Sequence, residues 1–430
     1  MKINRTMVPM ESLIESISMG PFGSDVKVEY MQPTGVPVID GSNLTGIKMN
    51  ENNLRFMSPE RVNSLSKSLA RAGDIIATHR GTLGQIVYVP DNLQYDEYLI
   101  SQSQFRVTLK KDLVDPAYFA YYFHTSEGQK RLLSFANYVG VPALAQATTN
   151  FRALEFPLVP LEYQKKVVSI LLSIDAKIEN NNTICADLEG MAKLLYDYWF
   201  VQFDFPDEKG KPYKSSGGKM VWNEKLKREI PEGWSKGCVS DLGTVVTGST
   251  PSTEHTEYFT TEGHAWATPK DLSLLDGRFF FHGATDLTDE GLKNSTGNMM
   301  PEGSILFTTR APIGYIAVTA NPACTNQGFK SVIPDPIYGT EFVFQTLKSL
   351  VPQMQRVGVG STFKEVSKDV FSDQPVVLPP KQIVMTFAKK TKETQEMLKN
   401  IQRENTELAS LRDFLLPMLM NGQVKVKEVV

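Results

Sequence analysis

The chain has 430 residues, 41% hydrophobic and 22% charged, which is enough for two or three domains with cores of their own. A formal net charge of −3 excludes a uniformly basic nucleic-acid-binding protein, so any contact with a polyanion must come from local patches. Three cysteines are too few for a disulfide framework or a zinc cluster, and no run of about 18 apolar residues suits a membrane span. We therefore expect a cytoplasmic protein that does not contact a membrane.

Residues 1–160 are expected to form a mixed α/β domain. Runs of β-forming residues, separated by Gly, Pro and Asn clusters, predict strands at 36–39, 74–78, 85–90 and 105–109. Residues 115–135 are predicted to be helical, because Asp115 can cap the first turn and Pro116 suits its first position.

A long helix is predicted over residues 161–200. Its seam positions step by alternating four and three residues, the heptad pattern that lets two helices pack along their length. The members of this first seam are Val167, Leu171, Ile174, Ile178, Asn181, Cys185, Leu188, Ala192 and Leu195. A helix of this kind is about 55 Å long, which exceeds the length that a single domain of about 150 residues can cover. We therefore favour packing of helix against helix over packing of each helix on its own domain.

Residues 201–234 are rich in Gly, Pro, Ser and Lys and are expected to form a connector. Its expected aromatic anchors are Phe203, Phe205, Trp222 and Trp234. Residues 235–378 carry a second series of strand-like runs and predict a second α/β domain. Residues 379–430 predict a second long helix with a tail, and Pro417 and Gly422 are expected to end the helix. Its seam is predicted at Ile383, Phe387, Lys390, Thr394, Met397, Ile401, Glu404, Leu408, Leu411 and Leu415.

The two halves are copies of each other. GDIIATHRGTLG at 73–84 aligns with GSILFTTRAPIG at 303–314, which places Arg80 on Arg310. Matches upstream and downstream need slightly different shifts, so the copies differ by small insertions. A repeat about half the chain long predicts two copies of a whole domain rather than a solenoid.

Sequence motifs for catalysis are missing from both copies. The chain has no GxxxxGK[ST] phosphate loop, no HExxH, no GxSxG elbow, no Asn/Asp-Pro-Pro-Tyr/Phe tetrapeptide and no nuclease carboxylate pattern. Its five histidines show no metal-ligand spacing. The chain is therefore expected to bind rather than to react, and to hold no metal or cofactor.

Small and polar residues recur in the turns between predicted strands, and these residue types contact base edges and phosphates in DNA. The DNA-binding candidates of the first copy are Gly20, Gly23, Ser24, Ser42, Asn43, Thr78, Arg80, Thr82, Gln102 and Gln104. Those of the second copy are Gly248, Ser249, Thr250, Lys270, Thr308, Thr309, Arg310, Asn326 and Gln327. Taken singly, each such residue is better explained as part of an ordinary surface loop than as a DNA contact. Arg80 and Arg310 stand out, because they recur in register after a buried-looking strand and before a glycine, which favours a shared task. A shared structural salt bridge is the alternative explanation for both.

Residues 194–234 resemble the central conserved region of the DNA specificity subunits of type I restriction-modification systems. Residues 411–426 resemble the distal conserved region, and CTNQGFKSVIP at 324–334 is similar to recurring recognition-domain sequences. The resemblance implies a pseudo-two-fold, mixed α/β chain in which two long antiparallel coiled-coil helices separate two target-recognition domains. Each domain would read one half of a bipartite, asymmetric site on double-stranded DNA.

The resemblance also implies partners. Two methyltransferase subunits would supply the catalysis and the S-adenosylmethionine, and two restriction subunits are further partners that it allows. The residues expected to dock the methyltransferase subunits are Tyr196, Tyr198, Trp199, Phe200, Phe414 and Leu415, although a place in the core explains them equally well. Two other functions remain open: a self-contained DNA methyltransferase or nuclease with an unrecognised site, and a coiled-coil adaptor that does not touch DNA.

Overall fold

The computed structural model describes residues 5–295, 297–310, 312–358 and 365–424. It divides into two compact units. The first comprises Met1–Lys177 with Leu408–Val430, and the second comprises Ile178–Glu407. Each unit contains one α/β domain and a section of both long helices, so the division falls within the helices.

The first unit contains two larger sheets. A four-stranded antiparallel sheet has the order Ile14–Met19, Gln104–Leu109, Ile75–Thr78, Ile86–Tyr88. A five-stranded sheet has the order Met31–Gln32, Arg55–Met57, Val36–Ile39, Tyr98–Ile100, Leu69–Ala70. Two antiparallel pairs join Thr6–Pro9 to Glu155–Leu158 and Ala136–Asn137 to Ala143–Leu144. Short α-helices lie at Pro59–Asn63, Pro116–Phe123, Ser126–Leu132 and Ala147–Ala153. The four predicted strands are confirmed.

The predicted helix at 115–135 is two helices. Asp115 caps the first as expected, accepting hydrogen bonds from the backbone N–H groups of Ala117 and Tyr118. Thr125 begins the second, because its hydroxyl accepts from the N–H of Gly128 at 3.0 Å. A Cβ at Gly128 would lie 2.2 Å from the carbonyl oxygen of Tyr122, so only glycine permits this close turn.

The second unit repeats this arrangement. Its five-stranded sheet has the order Gly243–Thr247, Lys330–Pro334, Ile305–Phe307, Ile316–Thr319, Phe279–Phe280. Smaller pairs join Ser235–Cys238 to Pro375–Leu378, Phe259–Thr260 to Asp286–Leu287, and Ala265–Ala267 to Ala323–Thr325. Its α-helices include Pro269–Leu274, Asp289–Asn294, Gly339–Val357 and Lys368–Ser372.

The strand pairing confirms that the sequence repeat is a structural repeat. In the first unit, Ile14–Met19 pairs with Gln104–Leu109, which pairs with Ile75–Thr78, the strand that precedes Arg80. In the second unit, Gly243–Thr247 pairs with Lys330–Pro334, which pairs with Ile305–Phe307, the strand that precedes Arg310. A parallel pair recurs as well, Val36–Ile39 with Tyr98–Ile100 and Ala265–Ala267 with Ala323–Thr325. The mixed α/β fold with two similar domains is therefore confirmed.

The first long helix spans Leu161–Tyr196 and continues as a π-helical turn, Asp197–Val201. The second spans Lys381–Met420, so Pro417 does not end it as predicted. Proline removes one backbone donor, but the last turn still buries Leu416 and Leu419, which keeps it helical. Gly422 follows the helix with a φ of +65°, as the sequence led us to expect.

The two helices are antiparallel in each unit. In the first unit, the Tyr163 hydroxyl donates to the Leu419 carbonyl at 2.8 Å, and Arg412 pairs with Asp175 at 3.0 Å. In the second unit, the Asn181 side chain donates to Asn405 at 2.8 Å. Residue numbers therefore rise along one helix as they fall along the other, which confirms the predicted helix pair.

The first seam is confirmed, because all nine of its members are buried or half-buried. The second seam is confirmed only in part: seven of its ten members are buried or half-buried, whereas Lys390, Met397 and Leu411 are exposed. The positions that are buried on this helix are Val384, Phe387, Thr391, Leu398, Gln402, Leu416, Leu419 and Met420. Two of these, Thr391 and Gln402, are polar, so a pattern based on hydrophobicity does not identify them as buried.

The connector is partly folded rather than only a linker. Met220–Asn223 and Arg228–Pro231 form an antiparallel hairpin. Phe203, Phe205 and Trp234 are buried and confirm three of the four expected anchors. Trp222 is 57% exposed, so that anchor is wrong, since its side chain does not pack into the core.

Candidate DNA interface

Three turns that carry candidates meet in the first domain. The N–H of His79 donates to the carbonyl of Ser103 at 2.9 Å, and its Nε2 lies 3.1 Å from the carbonyl oxygen of Gln102. A Cβ at Gly20 would lie 2.0 Å from the carbonyl oxygen of Ser101, so the turn after the first strand packs against the same residues. Burial lowers the pKa of His79 below its usual value. The candidates in these turns are therefore brought together.

The second domain has the same convergence. The N–H of Thr309 donates to the carbonyl of Gly328 at 2.8 Å, and the Thr250 hydroxyl bonds to the Gln327 side chain. A Cβ at Gly248 would lie 2.1 Å from the carbonyl oxygen of Asn326. Lys270 is exposed on the helix that begins next to this turn. Glycine is required at Gly20 and Gly248 because a side chain there would prevent the turns from approaching each other.

Five candidates are buried and hold the turns instead of facing solvent. They are Asn43, Thr78, Gln104, Thr308 and Thr309, none more than 3% exposed. The Asn43 side chain donates to the carbonyls of Asn50 and Asn52, and the Gln104 side chain accepts from the N–H of Ser101. The Thr308 hydroxyl donates to the carbonyl of Pro312 at 2.8 Å. Their assignment as base-contacting residues is therefore corrected, because these five side chains are buried within the turns. Of their polar groups, Gln104 Nε2 has no hydrogen-bond partner among the described residues.

The remaining candidates reach solvent. The exposed ones are Gly23, Ser24, Ser42, Arg80, Thr82, Gln102, Lys270, Arg310 and Gln327, and the half-buried ones are Gly20, Gly248, Ser249, Thr250 and Asn326. Ser42 is engaged locally, because its N–H and hydroxyl both donate to Asp40. These residues form the surface that the turns present in each domain.

The two arginines occupy matching places but have different partners. Each forms an isolated antiparallel bridge with a later segment, Arg80 with Ala143 and Arg310 with Glu365. Arg310 Nε lies 3.0 Å from Glu365 Oε2, with the two side chains 48% and 39% exposed. Among the described residues, Arg80 is exposed and forms no ion pair.

Lys330, on the strand beside Arg310, is only 6% exposed. Burial lowers the pKa of its ammonium group, the Arg310 and Lys368 charges lower it further, and Glu365 opposes these effects. The buried Lys330 thus lies within the electrostatic influence of two further cations, Arg310 and Lys368, and of one carboxylate, that of Glu365. Glu365 and Lys368 were not predicted from the sequence. The VGV tripeptide that starts at Val139 and again at Val357 is the signal that could have aligned these segments.

The predicted docking residues divide by burial. Tyr196, Trp199 and Phe200 are at most 7% exposed and pack into the core of the second unit, so they are corrected to core residues in this chain. Tyr198 and Phe414 are 38% and 61% exposed, and Leu415 is half-buried. These three remain available at the surface.

Among the described residues, no group of three or more His, Cys, Asp or Glu side chains could hold a metal ion. No helix in that part of the chain is long and apolar enough to cross a membrane.

Comparison with known proteins gives consistent similarities. The model of the type I restriction modification DNA specificity domain matches residues 24–190 and 231–411. The HindI type I restriction enzyme specificity subunit of Haemophilus influenzae is 25% identical, covering 84% of this chain and 88% of that protein. The MjaIX specificity subunit of Methanocaldococcus jannaschii is 30% identical over 45% of this chain and 46% of its own length. The crystal structure of the S subunit from M. genitalium shares the fold, with a TM-score of 0.59 and 16% identity over 97% of this chain and 96% of that one.

Proposed function

The chain belongs to the type I restriction-modification DNA specificity family, and we propose that each of its two domains reads one half of a bipartite, asymmetric site on double-stranded DNA. The family supplies DNA specificity and has no catalysis of its own. The observation that carries the proposal is the double match, because each match spans one α/β domain and much of one long helix. The turns of the two domains carry different side chains, which favours two different half-sites.

We propose two methyltransferase subunits as partners, which would bring S-adenosylmethionine and the catalytic groups, with two restriction subunits as a further addition. Tyr198, Phe414 and Leu415 are the proposed docking residues, because they are apolar and reach the surface near helix ends. Such an assembly works on chromosomal DNA, and we therefore also propose a cytoplasmic location.

Methylation sequencing tests this function. Plasmid DNA is treated with the partner methyltransferase subunits and S-adenosylmethionine, with or without this chain, and modified adenines are mapped. We expect a split motif with one fixed gap, present only when the chain is added. Identical maps with and without the chain would refute the proposal.

The alternative function, a self-contained DNA methyltransferase or nuclease, is tested by the chain alone in the same assay. We expect neither modified nor cleaved DNA from the purified chain with S-adenosylmethionine and Mg²⁺. Either product would show that this chain carries out catalysis itself.

A further inference from the structure

We propose that Glu365 is a built-in competitor for Arg310, so that DNA must displace this carboxylate before the second domain can use its arginine. The inference rests on the proposed function. It adds a residue that tunes specificity without being expected to bind DNA itself.

The position of Glu365 is fixed by the framework of the domain. Glu365 forms a backbone bridge with Arg310, and the next N–H, that of Val366, donates to the carbonyl of Thr309 at 2.9 Å. Val366 and Phe371 are 1% and 0% exposed, so this segment is anchored in the core. The Glu365 carboxylate is therefore held beside the guanidinium and does not meet it by a chance surface encounter.

The contact occupies the Nε edge of the guanidinium, one of the edges through which arginine binds a pair of acceptors. Glu365 Oε2 lies 3.0 Å from Arg310 Nε, and both side chains remain partly exposed. Arginine contacts guanine or phosphate through the same array of N–H donors. A DNA acceptor on that edge and the Glu365 carboxylate therefore exclude each other.

The surrounding charges explain how DNA can win this competition. Lys330 feels the positive charges of both Arg310 and Lys368, which lower its pKa, and the negative charge of Glu365, which raises it. A phosphate that approaches these cations attracts them and repels Glu365. The carboxylate is thus displaced most readily when a nearby DNA backbone and a suitable base act together.

Competition of this kind favours discrimination. A DNA sequence that offers Arg310 no better acceptor than Glu365 gains no affinity by displacing the carboxylate. A correctly placed guanine does gain affinity, because it forms two hydrogen bonds with the guanidinium. The first domain provides an internal comparison, because the bridge partner of Arg80 is Ala143, which has no charge. The two domains therefore differ in this competitor although their bridges match.

The test uses the complete assembly of this chain with its methyltransferase subunits. Binding is measured by fluorescence anisotropy on a duplex carrying the mapped site and on a random-sequence duplex of equal length, across a range of salt concentrations. The variants are Glu365→Gln, Ala143→Glu and Arg310→Ala, with Glu365→Gln also combined with Arg310→Ala. Glu262→Gln serves as the charge control, because it removes one exposed carboxylate from another turn of the same domain.

We expect Glu365→Gln to bind the random duplex about two- to fivefold more tightly, the range that an exposed ion pair allows, and to lose preference for the mapped site. Ala143→Glu should weaken binding to the mapped site by a similar factor. The Glu365→Gln effect should disappear when Arg310 is alanine, while Glu262→Gln should match the unmodified chain.

Two results would overturn the inference while leaving the proposed function intact. In the first, the unmodified assembly prefers its mapped site, and the Glu365→Gln assembly has the same affinities for both duplexes as the Glu262→Gln control. The other is a Glu365→Gln effect of equal size without Arg310, which would reduce Glu365 to a general charge. An unmodified assembly with no site preference would refute the proposed function itself.

Discussion

The two recognition domains share a framework and differ at its exposed edge. In both, a strand of the main sheet leads through a threonine into an arginine turn, and that turn bridges a later segment. The threonines, Thr78 and Thr308, are buried in both copies. The bridge partners differ, Ala143 in one and Glu365 in the other. The repeat therefore preserves the buried residues that hold the turn, whereas the residue that bridges to the arginine differs between the two domains.

The ends of the long helices differ between the units in a similar way. The second unit buries Tyr196, Trp199 and Phe200 against Phe387 and Phe342, with ring centroids 4.7 to 6.3 Å apart in these contacts. The first unit leaves Phe414 61% exposed. The second unit thus buries three of its four aromatic residues at this helix end and leaves Tyr198 38% exposed, whereas the first unit leaves Phe414 at the surface.

The largest expected effect separates these two roles. Trp199→Ala should destabilise the second unit by about 3–5 kcal/mol, because it empties a space filled by a buried indole beside Phe387 and Phe200. Thermal unfolding followed by circular dichroism measures the loss, and hydrogen exchange should locate it in Ile178–Glu407.

The matched control is Phe414→Ala, which removes an exposed ring. We expect the unfolding temperature to stay close to that of the unmodified chain and the yield of complex with the methyltransferase subunits to fall in size-exclusion chromatography. If Trp199→Ala leaves stability unchanged and reduces assembly instead, the distinction between buried and exposed aromatic residues does not hold.

Most of the framework could be predicted from the sequence, because it depends on regular patterns. The β-forming runs between turn residues gave the four predicted strands, and the repeat gave the second domain. The first seam could be predicted because most of its members are apolar. The second could be predicted only in part, since Thr391 and Gln402 are buried there and form hydrogen bonds that local hydrophobicity does not record.

The candidate site was less predictable for a different reason. A polar residue in a turn has the same identity whether it faces DNA or holds the turn, and only the fold shows that Asn43 and Gln104 are engaged internally. Glu365 lies 55 residues from Arg310 in the sequence numbering, and its pairing depends on a bridge between distant segments. Arg80 and Arg310 were identifiable because the repeat preserves their register.

The next effect tests whether the two domains read separate half-sites. Arg80→Ala and Arg310→Ala should each cost about 1–3 kcal/mol of DNA binding and relax one position of the site, because each removes a guanidinium that can contact guanine. Methylation sequencing should show the relaxed positions on opposite sides of the gap. Relaxation in the same half-site by both variants would contradict the assignment of one arginine to each domain.

The smallest expected effect is a pH dependence confined to the second domain. Lys330 has a lowered pKa in the free chain, because burial and the charges of Arg310 and Lys368 disfavour its charged form. A bound phosphate favours the charged form and raises that pKa, so the contribution of Lys330 to DNA affinity is complete below the free-state pKa. It declines as the pH rises above that value and is lost once the pH passes the higher pKa of the bound state. Lys330→Arg should remove this decline, since arginine stays charged throughout the range. Anisotropy titrations of the unmodified and Lys330→Arg assemblies on the same duplex measure the difference, and equal alkaline losses would show that Lys330 does not contact DNA.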